Sequence, residues 1–282
     1  MELSAGQKLW DALSEESPLQ VVGVINAYAA MMAKEVGFRA LYLSGAGVAN
    51  SSYGIPDIGE TTLENVIEDA SRITRAVDLP LLVDIDTGWE RIEETIRAME
   101  EIGVAGVHIE DQVAKKKCGH LNGKGIISTS EMSEKIRACV EARRDPRFVI
   151  MARTDAYANE GIDGALERLH AYKQAGAAMI FPEAMPTLQL YQTIKDAIRL
   201  PTLANLTEFG KTPLFTLEEV KEVGIDMALY PLSANRAMNL AALKVFQEIR
   251  QKGTQKNILE MMQTRDELYH FLQYVDGHHG RN

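Results

Sequence analysis

Two aspartates close an apolar segment in the first third of the chain. The stretch PLLVDIDTG (80–88) places Asp84 and Asp86 two residues apart, and side chains two apart on a strand point to the same face. Mg²⁺ is commonly held by one or two carboxylates, with water and substrate oxygens completing an octahedron. The pair therefore predicts a magnesium site, and ion pairing of both acids with nearby arginines or lysines is the alternative.

A cysteine in a basic, glycine-containing stretch is the second candidate. Cys118 follows the three lysines at 115–117 and precedes Gly119 and His120. No apolar periodicity surrounds it, whereas a lone cysteine is usually a small core hydrophobe. Neighbouring cations favour the thiolate. The residues alone leave a chemical role and an incidental one open, and the chemical role is that of a general acid beside His120.

Polar side chains collect at the ends of eight short, β-branched runs. The runs are residues 21–27, 40–46, 80–88, 106–112, 148–156, 179–184, 201–209 and 227–233. Their polar ends carry Asn26, Ser44, Asp84 with Asp86, Glu110 with Asp111, Arg153 with Asp155, Glu183, and Asn205 with Thr207. Eight strands alternating with helices predict an α/β fold with a parallel sheet closed into a (β/α)8 barrel, in which active sites lie at the C-terminal rim. An open doubly wound sheet is the alternative, but no Gly-rich phosphate loop follows the first run.

Helical patterns fill the gaps between these runs. Capping boxes are predicted for Thr61 with Glu64, Ser128 with Glu131, and Thr216 with Glu219. An amphipathic face at Ile162, Leu166, Leu169 and Tyr172 ends at Gly176.

The predicted rim suits a small polyanion. A divalent ion can chelate a hydroxy- or keto-carboxylate and stabilise the negative charge that develops when a neighbouring C–C bond breaks. The other fragment leaves as a carbanion equivalent and needs a proton, which the Cys118 thiol could supply. A non-catalytic binding barrel is the alternative from another functional class.

Composition limits the partners. The 282 residues include 40 acidic and 30 basic side chains, a net charge of −10, so the basic face that a nucleic acid or an anionic membrane requires is not expected. No apolar run has the length needed to cross a bilayer. Two cysteines without a secretory signal predict reduced thiols in the cytoplasm. Cys139 lies on the apolar side of its helical pattern and is predicted to be core.

The C-terminal region holds more helix than one barrel repeat requires. We expect a single domain over 1–282, with residues 235–276 forming the closing helix and a spare amphipathic helix from about Lys256 to Val275. The apolar residues of the spare helix are Ile258, Met261, Met262, Leu268 and Leu272. An amphipathic helix must bury such a face, and a neighbouring subunit is the predicted place.

Several motifs resemble those of the isocitrate lyase family, within the isocitrate lyase and phosphoenolpyruvate mutase superfamily. The resemblance covers nearly the whole chain and includes KKCGH, YLSGAGVA, LPLLVDIDTG, HIEDQ, FVIMARTDA, FPEA, NLTEFG and ALYPLSANRAMN. It is greatest to the branch that cleaves 2-methylisocitrate into pyruvate and succinate in the methylcitrate cycle of propionate breakdown. It implies a (β/α)8 barrel whose last helix is exchanged between subunits of a dimer or tetramer. It also implies a polycarboxylate substrate and Mg²⁺, with Mn²⁺ as a possible substitute.

The resemblance also implies roles for individual residues. Asp86 would hold the metal directly and Asp84 through water, with Asp57 and Glu110 nearby. Cys118 would be the acid, next to Gly119 and His120. The pyruvate moiety would lie against Ser44, Gly45 and Ala46, beside Tyr42, the candidate base. The remaining carboxylates and the pocket shape would depend on Arg153, which is also assigned a catalytic role, and on Glu183, Asn205, Leu206, Thr207, Arg236 and Arg265.

One feature departs from the family pattern and affects the loop after the third strand with its subunit contacts, and a second bears on substrate specificity. Relatives usually continue after DTGW with glycine and a longer loop, whereas Glu90 and Arg91 follow Trp89 at once. Phe181 and Leu206 could form an apolar wall for a substrate methyl group. Isocitrate lyase, oxaloacetate decarboxylase and phosphonopyruvate hydrolase are the alternative activities, and the last two types typically lack the Cys-Gly-His sequence.

Overall fold

Eight parallel strands form the centre of the molecule. The computed structural model describes residues 3–114, 123, 125–275 and 278–279. The barrel strands are β1 (Leu19–Gly23), β2 (Ala40–Leu43), β3 (Leu81–Asp84), β4 (Gly106–Glu110), β5 (Val149–Thr154), β6 (Met179–Pro182), β7 (Leu203–Asn205) and β8 (Met227–Tyr230). Each lies within or overlaps one of the eight predicted runs.

The sheet closes on itself. Its order is β6-β5-β4-β3-β2-β1-β8-β7, and a parallel bridge between Ile180 and Thr202 joins the β6 side to the β7 side. The predicted (β/α)8 barrel is therefore confirmed, and the open doubly wound sheet is excluded because this bridge joins the two ends of the strand order.

Helices surround the barrel. They are α1 (Ala5–Glu15), α2 (Ala27–Val36), α3 (Gly45–Gly47), which continues as a π-helical segment (Val48–Tyr53), α4 (Leu63–Ala76), α5 (Ile92–Glu101), α6 (Thr129–Ala142), α7 (Tyr157–Gln174), α8 (Leu188–Ile198), α9 (Leu217–Glu222), α10 (Ser233–Lys252), a 3₁₀ segment (Lys256–Met261) and α11 (Arg265–Phe271). A short hairpin, β9 (Tyr274–Val275) with β10 (His278–His279), follows them. No helix in the described part of the chain is long and apolar enough to span a bilayer.

The alternation of strand residues divides the core in two. Leu41 and Leu43 pack toward the helices, whereas Tyr42 and Leu82 lie in the barrel interior. Leu9 and Ala12 of α1 join this inner cluster at the N-terminal ends of the strands. Because α1 covers that end, the polar residues at the strand C-termini face the opposite, open end.

Two of the three predicted capping boxes are confirmed, at Ser128 and at Thr216. The prediction for Thr61 and Glu64 is wrong by one residue, since Thr62 caps α4 and Asn65 reciprocates. Thr61 is instead buried, with its hydroxyl 3.5 Å from a carboxylate oxygen of Asp86.

The C-terminal region is exposed in the single chain. Helix α10, which the structure describes completely, has Asn235 as its only buried residue. The prediction of one helix from 256 to 275 is wrong, because the chain forms a 3₁₀ segment and the short α11. α11 packs on α2 of its own chain through an edge-to-face contact of Phe271 with Tyr28, at 6.0 Å. Exchange of this segment between subunits stays a prediction.

Candidate active site

A cavity of about 230 Å³ opens at the C-terminal ends of the strands. Its walls are formed by residues at or just beyond those ends, namely Tyr42, Ser44, Ala46, Asp57, Asp84, Arg153, Phe181, Glu183, Asn205, Thr207, Glu208, Phe209, Gly210, Pro231, Leu232 and Arg236. The polar rim predicted from the sequence is therefore the lining of one cavity.

Asp84 and Asp86 lie at the end of β3 and are almost completely buried. Asp84 accepts hydrogen bonds from two backbone amides, that of Gly45 at 3.1 Å and that of Asp86 at 3.0 Å. Asp86 has a left-handed backbone, with φ of 49°, a conformation that aspartate tolerates better than most residues. The left-handed backbone of the turn after β3 thus sets the direction of the Asp86 side chain.

Gly45 shows that the two carboxylates converge. A Cβ atom at this position would lie 3.1 Å from Asp84 Oδ2 and 3.1 Å from Asp86 Oδ1. One oxygen of each aspartate therefore borders the same small space, which the absence of a side chain at position 45 leaves open. Paired carboxylate oxygens are the donors that Mg²⁺ prefers, so the residues present fit this ion. Among the described residues no group of three or more His, Cys, Asp or Glu could hold a metal, so water or substrate oxygens would complete the coordination.

Tyr42 and His108 form a buried pair beside the aspartates. The Tyr42 hydroxyl lies 2.8 Å from His108 Nε2, and the two rings are stacked with centroids 5.7 Å apart. The same His108 nitrogen is 3.6 Å from Asp84 Oδ1. Burial first, and then the negative charge of Asp84, raise the pKa of Tyr42 above its ordinary value. Tyr42 is therefore neutral in this environment, and His108 is a buried, hydrogen-bonded residue of the barrel.

Arg153 lies among three carboxylates. Its guanidinium is 2.9 Å from Asp155, 3.2 Å from Glu110 and 3.6 Å from Glu183, and it stands over the ring of Phe181 at 5.1 Å. Burial opposes its charge, but the carboxylates, Asp155 foremost, outweigh burial and raise the pKa of Arg153. The side chain is thus a fixed cation in the cavity wall, suited to a substrate carboxylate.

A second cation stands at the mouth of the cavity. Arg236 Nε is 3.5 Å from Glu208, and its guanidinium lies over the Phe209 ring at 5.6 Å. Glu208 also accepts a hydrogen bond from Ser233. Phe209 is 93% exposed, so this corner is open to solvent whereas Arg153 is deep.

Comparison with known proteins assigns the chain to a family. A family model described as phosphoenolpyruvate phosphomutase matches residues 10–250. The chain belongs to the phosphoenolpyruvate phosphomutase family. Two curated relatives are 2-methylisocitrate lyases: one from Shewanella oneidensis, 55% identical over 97% of this chain and 95% of the relative, and one from Vibrio cholerae, 54% identical over 97% and 92%. A solved 2,3-dimethylmalate lyase, described as a member of the PEP mutase and isocitrate lyase superfamily, is 32% identical with a TM-score of 0.89, over 96% of this chain and 92% of the other.

Most residues predicted for a site of this family line the cavity. They are Tyr42, Ser44, Ala46, Asp57, Asp84, Arg153, Glu183, Asn205, Thr207 and Arg236. Gly45 and Asp86 border the space beside Asp84, and Glu110 contacts Arg153. Cys118, Gly119 and His120 lie outside the described residues, so their roles stay predictions.

Two predicted site residues lie elsewhere. The prediction that Leu206 lines the pocket is wrong: it is 2% exposed and packs in the core between strands and helices, because it lies one residue after Asn205 and so takes the opposite face. Arg265 is exposed at the first position of α11 and is not part of the cavity lining. A role for Arg265 in substrate binding would require a second subunit.

The sequence reasoning missed other lining residues, Glu208, Phe209, Gly210, Pro231 and Leu232. They follow β7 and β8 directly, so the signal that could have found them is their position just past a strand end. The prediction kept only the first polar residues of each run.

Proposed function

We propose that this member of the phosphoenolpyruvate phosphomutase family is a 2-methylisocitrate lyase, which cleaves its substrate to pyruvate and succinate. The proposal rests on one observation. More than half of the aligned residues, over 97% of the chain, are identical to those of proteins named 2-methylisocitrate lyase. In a cell the reaction would serve the methylcitrate cycle of propionate breakdown, in the cytoplasm.

Asp84 and Asp86 are the residues that would hold Mg²⁺, and Mn²⁺ favours the same oxygen ligands. When bound, the ion would bind oxygens of the hydroxy-carboxylate end of the substrate and offset the negative charge that develops there. The convergence of the two carboxylates at Gly45 supports this assignment. Asp57, which lines the cavity, and Glu110 lie in the surroundings of the site.

The other residues would bind and orient the substrate. Ser44, Gly45 and Ala46, at the end of β2, would surround the pyruvate half. Arg153 and Arg236 are the described cations of the cavity wall and would each bind a substrate carboxylate. The amide of Asn205, fixed 3.3 Å from Glu183, and the hydroxyl of Thr207 would offer hydrogen bonds to the same groups.

The chemistry requires one proton to leave and one to arrive. A base would take the proton of the substrate hydroxyl, and Tyr42 is the candidate. Because the Tyr42 phenol is neutral, it would pass its own proton to His108 Nε2, 2.8 Å away, as it takes the substrate proton. The adjacent C–C bond then breaks, the former hydroxyl carbon becomes the carbonyl of pyruvate, and the electron pair remains on the succinate carbon. Cys118 would donate its thiol proton to that carbon.

The methyl group that distinguishes the substrate from isocitrate would meet an apolar surface. Phe181 lies on the cavity wall, as the sequence predicts, and Pro231 and Leu232 lie on it as well. One methyl group in an apolar pocket contributes about 1–3 kcal/mol of discrimination. Slow residual cleavage of isocitrate is therefore expected.

Product identification tests the proposal. The protein with Mg²⁺ is incubated separately with 2-methylisocitrate, isocitrate, oxaloacetate and phosphonopyruvate, and the products are identified by mass spectrometry. We expect rapid formation of pyruvate and succinate from 2-methylisocitrate, with the other compounds turned over far more slowly. Faster turnover of oxaloacetate or phosphonopyruvate would identify a different activity of the superfamily.

We also propose that the exposed face of α10 is buried in a dimer or tetramer. The face carries Leu240, Leu243, Phe246 and Ile249, of which Phe246 is 68% exposed in the single chain. Contiguous apolar surface of this kind typically marks an interface.

Replacing Phe246 by glutamate should therefore shift the protein toward the monomer, because a charge would be buried in the assembled form. Light scattering after gel filtration measures the mass of the particle. Leu3, 56% exposed near the N-terminus, offers a matched control, and Leu3→Glu should leave the assembly intact. A wild-type protein that is fully active as a monomer at micromolar concentration would contradict this proposal.

A further inference from the structure

A buried polar cluster lies behind the barrel wall, on the side of β4 and β5 that faces α7. Its centre is Asp111, which follows β4 and has no exposed surface. One carboxylate oxygen accepts hydrogen bonds from the hydroxyls of Thr154 at 2.7 Å and Tyr172 at 2.8 Å. The other accepts the backbone N–H of Asp155 at 2.9 Å. Asp111 is therefore held by several donors in a place where it does not line the cavity.

Arg168 of α7 is the cation of this cluster. Its Nη1 lies 3.5 Å from Asp111, and Nε and Nη2 form a two-pronged pair with the Glu160 carboxylate at 2.7 and 2.8 Å. Glycine at position 164 makes room for the Glu160 side chain in this pair. A Cβ atom at position 164 would lie only 2.4 Å from Glu160 Cβ. Arg168 is only 6% exposed, so its charge is buried and is held by these specific partners.

The same guanidinium reaches the chain segment that follows Asp111. Arg168 Nη1 donates to the carbonyl of Ile127 at 2.9 Å, and the Ile127 amide donates to the Asp111 carbonyl at 2.9 Å. Val113 N–H bonds the Gly125 carbonyl at 3.0 Å. Residues 111–113 and 125–127 thus form a pair of antiparallel stems, and Arg168 contacts both of them. Cys118 lies between these stems in the sequence.

The cluster is also connected to the cavity wall through Asp155 and Arg153. Asp111 fixes the backbone of Asp155, and the Asp155 side chain binds Arg153 at 2.9 Å. This second connection does not pass through Arg168. Loss of Arg168 would therefore leave Asp111 bonded to Thr154, Tyr172 and Asp155, with the Arg153 side of the site in place.

We infer that Arg168 is a positioning residue, which joins the two stems of the segment carrying Cys118 through Ile127 and Asp111. The effect on catalysis rests on the proposed function. The effect on the stems depends only on hydrogen bonds between described residues.

Arg168→Met tests both parts. Hydrogen exchange of peptides covering 111–114 and 125–129 should show protection lowered by about tenfold or more, because a hydrogen bond from a charged group is lost at each stem. Exchange in β3 and β8 should be unchanged. The kcat for 2-methylisocitrate should fall by about 10–100-fold, as is typical when a reacting group is displaced by about 1 Å, while KM stays within about threefold of wild type.

Matched variants separate positioning from general stability. Arg143, the residue after α6, donates a similar bond to the Phe148 carbonyl at 3.1 Å, at the opposite end of the barrel, so Arg143→Met should leave both the stem protection and kcat unchanged. Arg168→Lys should restore stem protection to within about threefold of wild type, since an ammonium can still donate to one carbonyl.

Unchanged stem protection in Arg168→Met, or an equal loss of protection throughout the barrel with normal kcat, would overturn the inference. Because exchange needs no substrate, a protein that failed to cleave 2-methylisocitrate would refute the proposed function and still test the stems.

Discussion

Replacing Cys118 by serine is expected to lower kcat by about 10²–10⁴-fold, the usual contribution of a general acid. A serine hydroxyl is nearly isosteric with the thiol but far less acidic, so it donates a proton poorly to the same carbon. Substrate binding depends on other residues, and KM should remain near the wild-type value. Steady-state kinetics with 2-methylisocitrate and saturating Mg²⁺ measure both quantities.

The other cysteine provides the control for this prediction. Cys139 is fully buried on α6, and burial raises its pKa to about 12, so Cys139→Ser should affect stability but not the kcat of the folded enzyme. If Cys118 serves only to shape its segment, serine would be tolerated. Gly123, with φ of 71°, would then be the sensitive position, because a side chain there is strained. A Cys118→Ser enzyme that retained more than about a tenth of wild-type kcat would reject the acid role.

Replacing Asp86 by alanine should abolish turnover, by about 10³-fold or more, even with Mg²⁺ in excess. The change removes one of the two carboxylate oxygens that border the space at Gly45. Isothermal titration calorimetry should show Mg²⁺ binding lost or greatly weakened, which is a readout independent of activity. Removal of metal by a chelator should abolish the activity of the wild-type protein, and added Mg²⁺ should restore it.

A buried aspartate away from the cavity is the matched control for Asp86. Asp69 of α4 is 4% exposed and bonds Ser52 and Arg72, so Asp69→Asn should change stability without changing Mg²⁺ affinity. Full turnover by metal-stripped wild-type protein would remove the metal from the mechanism.

The barrel and its functional rim could be predicted from the sequence because both depend on short-range periodicity. Strand residues alternate between two faces, and Asn205 and Thr207 both line the cavity as this alternation predicts. Asp84 and Asp86 also border one space, although Asp86 lies in a left-handed turn beyond β3 and not on the strand itself. The same alternation, applied strictly, excludes Leu206 from the cavity lining. Leu206 lies between Asn205 and Thr207, so its side chain points toward the helices. Its assignment came from the family resemblance and not from its place on the strand.

Other features depend on contacts that no local pattern encodes. Thr61 and Thr62 are adjacent and chemically alike, and the burial of Thr61 near Asp86 decides which of them caps α4. Arg168 occupies a helix position that pattern reading assigns to the surface or to packing, and only its partners on distant elements explain its burial. The apolar pattern of 256–275 predicted a helix but not the break between the 3₁₀ segment and α11.

Cleavage of 2-methylisocitrate in D₂O reports where the new proton is placed, and so tests whether an acid protonates the succinate carbon. The thiol of Cys118 exchanges with solvent, so the account predicts succinate carrying a single deuterium, at the carbon that lost its bond, and pyruvate without deuterium in early turnovers. Mass spectrometry and NMR of the two products show both labels. Succinate without deuterium, or deuterium in the methyl group of newly formed pyruvate, would contradict protonation of the succinate half by a solvent-exchangeable acid.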